Sequence, residues 1–253
     1  PDFRYFWLGQ FVSNVGTQMQ IVALNWHIYI LTGSPVALGM IGLSRFIPIV
    51  FFSLIGGNFA DVHNRKRIQF FTQIALAVLS LILALTTFNK TLNPTIIYLI
   101  TVLAAVAISF DLPARQALIP NLVEKRHLSS AMSLNVVMFQ VSTIVGPAVA
   151  GFIIGFLGVG PVYLANALSF AGVIIALLLI KAPGEPEGQK SSVSIKAMLE
   201  GLLFVKSRTL IWSTMILDFF STLFSSATVL LPIFARDILV VGPQGLGLLY
   251  AAP

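Results

Sequence analysis

Long apolar runs recur along the chain, each about as long as a helix needs to cross roughly 30 Å of hydrocarbon, and the charged residues fall almost entirely between them. The pattern predicts membrane helices over Phe6–Leu31, Val36–Phe59, Ile68–Phe88, Thr95–Phe110, Ala131–Leu157, Val162–Ile180 and Leu210–Phe234. An eighth begins near Leu246. The fourth run is short as drawn and is expected to extend toward Leu92 or Leu112. Pro1 is no initiator and the closing "GLGLLYAAP" stops inside an apolar run too short to cross, so the chain reads as a fragment.

Composition agrees, since 57% of the residues are hydrophobic and only 9% charged, outside the balance of a soluble domain. The net charge of +6 does not point to nucleic acid, because the cations sit in short loops rather than on one face. Of the 15 Lys and Arg, Arg4, Arg65, Lys66, Arg67, Arg115, Lys125, Arg126, Lys181, Lys190, Lys196, Lys206 and Arg208 fall on one side and only Lys90 and Arg236 on the other. The positive-inside rule makes the first side, and with it the N-terminus, cytoplasmic. With no cysteine, disulfides and thiolate metal sites are excluded, and no metal or cofactor is expected. No Lys follows a Gly and no HExxH occurs, so a Walker A loop and a zinc protease are absent and the chain is not read as an enzyme.

Polar residues inside the spans carry the candidate chemistry. Gln10, Asn14, Gln18 and Asn25 share one side of the first helix, flanked by Ser13, Thr17 and Gln20, a surface that lipid would not tolerate and that is expected to line a water-filled substrate path. His27 lies toward the outer end and is expected at an interface. Arg45 and Asp218 each fall near mid-membrane at about 1.5 Å per residue from the helix ends, so each is expected to face inward and find a partner. Arg45 would hold an anionic substrate or a counter-carboxylate. Asp218, on a stripe with Thr214, Ser221, Thr222 and Ser225, is expected to be a proton-coupling carboxylate, since removal from water favours the neutral acid.

The chain divides at a change of composition. Residues 1–180 are expected to form a six-helix bundle, residues 181–209 a cytoplasmic linker, and residues 210–253 the start of a second bundle. Within the linker Ile195, Met198, Leu199 and Leu202 share a helical face opposite Lys196 and Glu200, as on an amphipathic surface helix. Shifted by 208 residues, "ILTGSPVALGMIG" from Ile30 falls on "ILVVGPQGLGLLY" from Ile238 and matches at Ile, Leu, Pro, Leu and Gly. Six spans, a linker and a second copy describe a transporter made of two parallel halves.

The turn "GGNFADVHNRKR" from Gly56 to Arg67 packs Asp61 beside three cations. With Gly57, Asp61, Arg65 and Lys66 in register it resembles the loop between the second and third helices of the major facilitator superfamily, departing from it at Val62 and Asn64. Asn64 suits a turn because Asn tolerates left-handed backbone better than other non-glycine residues. An Asp61–Arg65 pair made and broken as the halves move would gate the transporter, and Asp61 could flank the positive end of the third helix. "GQFVSNVGTQMQ", "LTGSPVALG", "PARQALIPNLV" and "GPAVAG" are similar to the bacterial exporters of the enterobactin-exporter type. That resemblance implies an all-α membrane protein of the bacterial inner membrane, a monomer in the lipid bilayer, exporting a siderophore, drug-like molecule or lysophospholipid against protons. Gly146, Pro147 and Gly151 resemble the antiporter signature of proton-coupled drug exporters, with Gly155 extending the row of small residues. Pro147 interrupts the helix hydrogen bonding there, and the glycines admit a close neighbour. A passive channel or a non-transporting sensor of the same fold is the competing reading.

Overall fold

The computed structural model describes residues 2–185, 203–225 and 228–252, so the amphipathic segment expected over 195–202 lies outside the described residues. Six long helices follow one another: α1 (Asp2–Thr32), α2 (Pro35–Val62), α3 (Arg65–Phe88), α4 (Pro94–Leu122), α5 (Leu128–Leu157) and α6 (Gly160–Leu179). Farther along the chain come α7 (Thr209–Ser225) and α8 (Gly242–Ala251). No strand occurs among the described residues.

Local signals set the helix ends. Pro35, Pro94 and Pro161 stand in first turns, where a missing N–H costs nothing. Asn64 and Asn93 cap α3 and α4, their side chains accepting from Arg67 N at 3.1 Å and Ile96 N at 2.9 Å. Replacing either asparagine by alanine is expected to cost about 1 kcal/mol, read as a lower melting temperature of the purified protein. The 208-residue repeat falls on matching positions, for Pro35 and Pro243 both open a helix and Leu38 and Leu246 are both 0% exposed.

Two boundaries depart from the expectation. The fourth helix runs to Leu122 rather than near Phe110 or Leu112, because its last turns still bury Ala114, Leu118 and Ile119 against the bundle. The seventh ends as regular helix at Ser225 rather than Phe234. Beyond it the backbone passes through a 3-10 turn (Thr228–Leu230), one helical turn (Leu231–Ile233) and a π turn (Phe234–Ile238). Pro232 sits in that stretch, and a proline supplies no N–H and crowds the carbonyl four residues back.

Packing follows the order α2–α4–α3–α6–α1–α5, with α8 closing onto α5. Small residues allow the tightest crossings. A side chain on Gly9 would put its Cβ 2.7 Å from the Gly172 carbonyl oxygen, so α1 and α6 touch backbone to backbone there. α7 packs only sparsely on the other described helices. Five helical segments, 35–62, 65–88, 94–122, 125–157 and 160–179, are long and apolar enough to cross a membrane. α1 has the length but not the hydropathy, because amides recur through its middle from Gln10 to Asn25. Outward positions such as Phe51, Phe71, Phe156 and Leu168 are large, apolar and exposed, a surface suited to acyl chains.

Candidate functional site

A cavity of about 250 Å³ lies among α1, α2 and α4. α2 and α4 give it an apolar wall that includes Leu38, Ile41, Ile100 and Ile108, and α1 gives it a polar edge of Thr17, Gln20 and Asn25. Thr228, Val229 and Tyr250 close it from the side of the second segment. Asn25 donates to the Tyr250 hydroxyl at 2.9 Å, joining the two parts of the chain across the cavity. Gln20 is fixed from behind, its Oε1 accepting from Ser80 Oγ and from Asn166 Nδ2, each at 2.8 Å.

The amides expected to share one path divide among three places. Asn25 and Arg45 line the cavity. Gln10 and Asn14 are buried and accept from Arg115 Nη1 at 3.0 and 3.3 Å. Gln18 packs against α5, where a Cβ on Gly146 would lie 2.6 Å from the Gln18 Cβ. None of the four faces outward. His27 contacts the Tyr163 hydroxyl at 3.2 Å and stacks on that ring, an interface position.

Two charged residues beyond Phe110, where the fourth apolar run ends, belong to a helix. Because α4 continues past Phe110, Asp111 and Arg115 stand one turn apart inside it. Asp111 is 5% exposed and accepts at Oδ1 from Thr72 Oγ1 (2.8 Å) and Gln73 Nε2 (2.9 Å) of α3. Asp111 is thus an acid within a span besides Asp218, and Arg115 does not count among the loop cations. The four-residue spacing in "DLPAR", matching the spacing of Gln10 and Asn14, is the signal that would have located this layer.

Asp218 is exposed in this structure, contrary to the burial expected of it. The reason is the sparse packing of α7, which leaves no described helix over that face. Ser221, Thr222 and Ser225 have side chains outside the described set.

At the charged corner no ion pair joins Asp61 to Arg65 among the described residues. α2 carries Asp61 on its last turn, exposed, while Arg65 Nη1 turns to the Ala117 carbonyl at 2.9 Å. Asn64, not Asp61, serves the start of α3. The corner holds the chain leaving α6 instead. Lys66 Nζ donates to the Ile180 carbonyl at 2.6 Å, Arg65 N donates to the Gly184 carbonyl at 2.7 Å, and Asn121 donates to the Pro183 and Glu185 carbonyls. Asp2 completes the clasp by accepting from the backbone N–H groups of Lys181 and Ala182, both at 2.9 Å. Gly57 is half-buried with open space around it, and the close crossing with α4 falls on the neighbouring Gly56 against Ser109.

Gly146, Pro147 and Gly151 all lie on packed faces of α5. Gly146 meets α1, and Gly151 meets α8, where an added Cβ would stand 2.7 Å from the Pro243 carbonyl oxygen and 2.8 Å from Gly247 Cα. Close by, Tyr29 donates to Asp237, and Arg236 lies over the Tyr29 ring 5.5 Å from its centroid. These contacts fasten one end of α1 and α5 to the segment 228–250.

Over residues 1–253 the chain matches the family described as transmembrane secretion effector. It is 26% identical to the staphyloferrin A transporter of Staphylococcus aureus, across 93% of this chain and 59% of that protein. To macrolide efflux protein A of Streptococcus pyogenes it is 24% identical, across 81% of this chain and 51% of that protein. Similarity to the enterobactin exporter of Escherichia coli covers 100% of this chain and 60% of that protein at 26% identity. The chain thus spans between about half and three fifths of the length of these relatives.

Proposed function

Since the chain belongs to the transmembrane secretion effector family of the major facilitator superfamily, we propose that the protein carrying it is a secondary exporter that moves a small molecule by alternating access. The observation that carries the reading is the cavity itself, bounded on one side by the bundle and on the other by Thr228, Val229 and Tyr250. A path between two parts of the chain can open when those parts tilt. The fastenings of α1 and α5 to residues 228–250 would then be the contacts broken to open one end. With the N-terminus cytoplasmic, that end faces outward and is the closed one here.

Siderophores and drug-like molecules are the substrate classes suggested by the names of the relatives. Proton coupling is assigned to Asp218. The relatives extend well beyond the matched length, which leaves room for helices to cover its face. Residues 1–180 serve as the first bundle, 181–209 as the linker and 210–253 as the start of the second half.

Counterflow in proteoliposomes of the full-length protein tests the reading. Labelled enterobactin, staphyloferrin A or a macrolide should exchange against its unlabelled form with saturation, whereas a passive pore would leak without saturating and a sensor would move nothing. Asp218→Asn is expected to keep that exchange and lose efflux driven by a pH gradient. Full gradient-driven efflux in the variant would remove Asp218 from the mechanism.

A further inference from the structure

Among the described residues one charged side chain lines the cavity, and none of the others pairs with it. Arg45 stands ten residues from the start of α2, about 15 Å along its axis and so near mid-membrane. Its guanidinium makes no hydrogen bond or ion pair with any described residue. The ion pairs among the described residues are Arg126–Glu124 and Arg236–Asp237, both away from the cavity. No acid among the described residues lines the cavity either. Asp111 is taken up by Thr72 and Gln73, and Asp237 by Tyr29 and Arg236. A guanidinium cannot shed its proton to escape this position, and an unpaired charge at membrane depth is costly.

Of the other polar groups, Gln20 and Tyr250 also present donors, while the carboxamide oxygen of Asn25 is an acceptor. Gln20 has its carboxamide oxygen occupied by Ser80 and Asn166, so the end left to a ligand is the donating NH2. The Tyr250 hydroxyl accepts from Asn25 and has its own proton still to give. Three donors, one of them charged, therefore face an apolar wall of Leu38, Ile41 and Ile100. A cation would find no counter-charge here and would meet Arg45.

We infer that the cavity binds an amphipathic anion, with a carboxylate or similar planar oxyanion on Arg45 and an apolar body against α2 and α4. The inference rests on the reading of the cavity as the substrate path and names the class of substrate. Guanidinium and carboxylate pair through two parallel hydrogen bonds, so the ligand supplies a counter-charge that the described residues do not.

The test uses three probes of one shape, 1-naphthoate, 1-naphthylmethanol and 1-naphthylmethylammonium, titrated calorimetrically into the purified full-length protein. Naphthoate should bind saturably and at least tenfold more tightly than the alcohol, and the ammonium probe most weakly. Arg45→Gln should erase the preference for the anion and Arg45→Lys should retain it. The proposal is overturned if naphthoate fails to saturate, if the ammonium probe binds as tightly, or if Arg45→Gln keeps the order. The wild-type order decides the matter even where a variant fails to fold. Counterflow separates the two readings, since anion-selective binding without exchange refutes transport alone, and siderophore exchange without charge preference refutes this inference alone.

Discussion

Gly151→Ala is expected to force α8 away from α5 and to destabilise the protein by about 1 to 3 kcal/mol, the usual cost of overpacking a tight contact. The added methyl would stand 2.7 Å from the Pro243 carbonyl oxygen and 2.8 Å from Gly247 Cα, and backbone atoms cannot rotate away as a side chain would. Gly9→Ala should behave alike, because its Cβ would lie 2.7 Å from the Gly172 carbonyl oxygen. The control lies at the same crossing. A Cβ on Gly172 would have no neighbour nearer than 3.8 Å, so Gly172→Ala should be neutral or gain up to about 1 kcal/mol of helix propensity. Thermal unfolding of the three variants measures the order, and a loss in Gly172→Ala equal to the other two would refute this account of the packing.

The second large effect is expected at Asp111. Asp111→Ala removes the acceptor of two α3 side chains, but they do not suffer equally. Thr72 can fall back on the Gln69 carbonyl, already 3.0 Å away, while the Gln73 amide N–H is left buried without a partner. One orphaned donor costs about 1 to 3 kcal/mol. Asp111→Asn keeps an oxygen in place and removes a buried charge, so it should stay within about 1 kcal/mol of the wild type. Unfolding in detergent distinguishes the pair. If the two variants lose the same amount, the carboxylate charge rather than its acceptor oxygen holds α3 to α4.

Much of the fold was legible because a bilayer leaves a chain few choices. Every backbone group must be satisfied within the segment, so apolar runs of the right length became α2, α3, α5 and α6 within a few residues of where the pattern put them. α4 was misjudged because "DLPARQALIPNL" carries charge and proline, and hydropathy alone cannot tell a loop from a helix whose polar face is covered by neighbours. The same blindness hid Asp111 and Arg115. The inward orientation of Gln10, Asn14 and Asn25 followed from helical periodicity. Which of them face a cavity and which an arginine depends on α4, which periodicity in α1 cannot report. At the charged corner the residue types were readable but their partners were not, because Arg65 and Lys66 reach backbone carbonyls of Ala117 and Ile180, and a carbonyl has no sequence signature.

The clasp over residues 180–185 sets where motion can begin. A tether is as long as its free part, and the five residues after Ile180 are tied down by Asp2, Arg65 and Asn121. Stretched out, five residues would span about 17 Å, and here that length is held against the helices. Cutting the Asp2 and Asn121 ties alone would gain almost none of that length, because the Arg65 N–H still holds the Gly184 carbonyl.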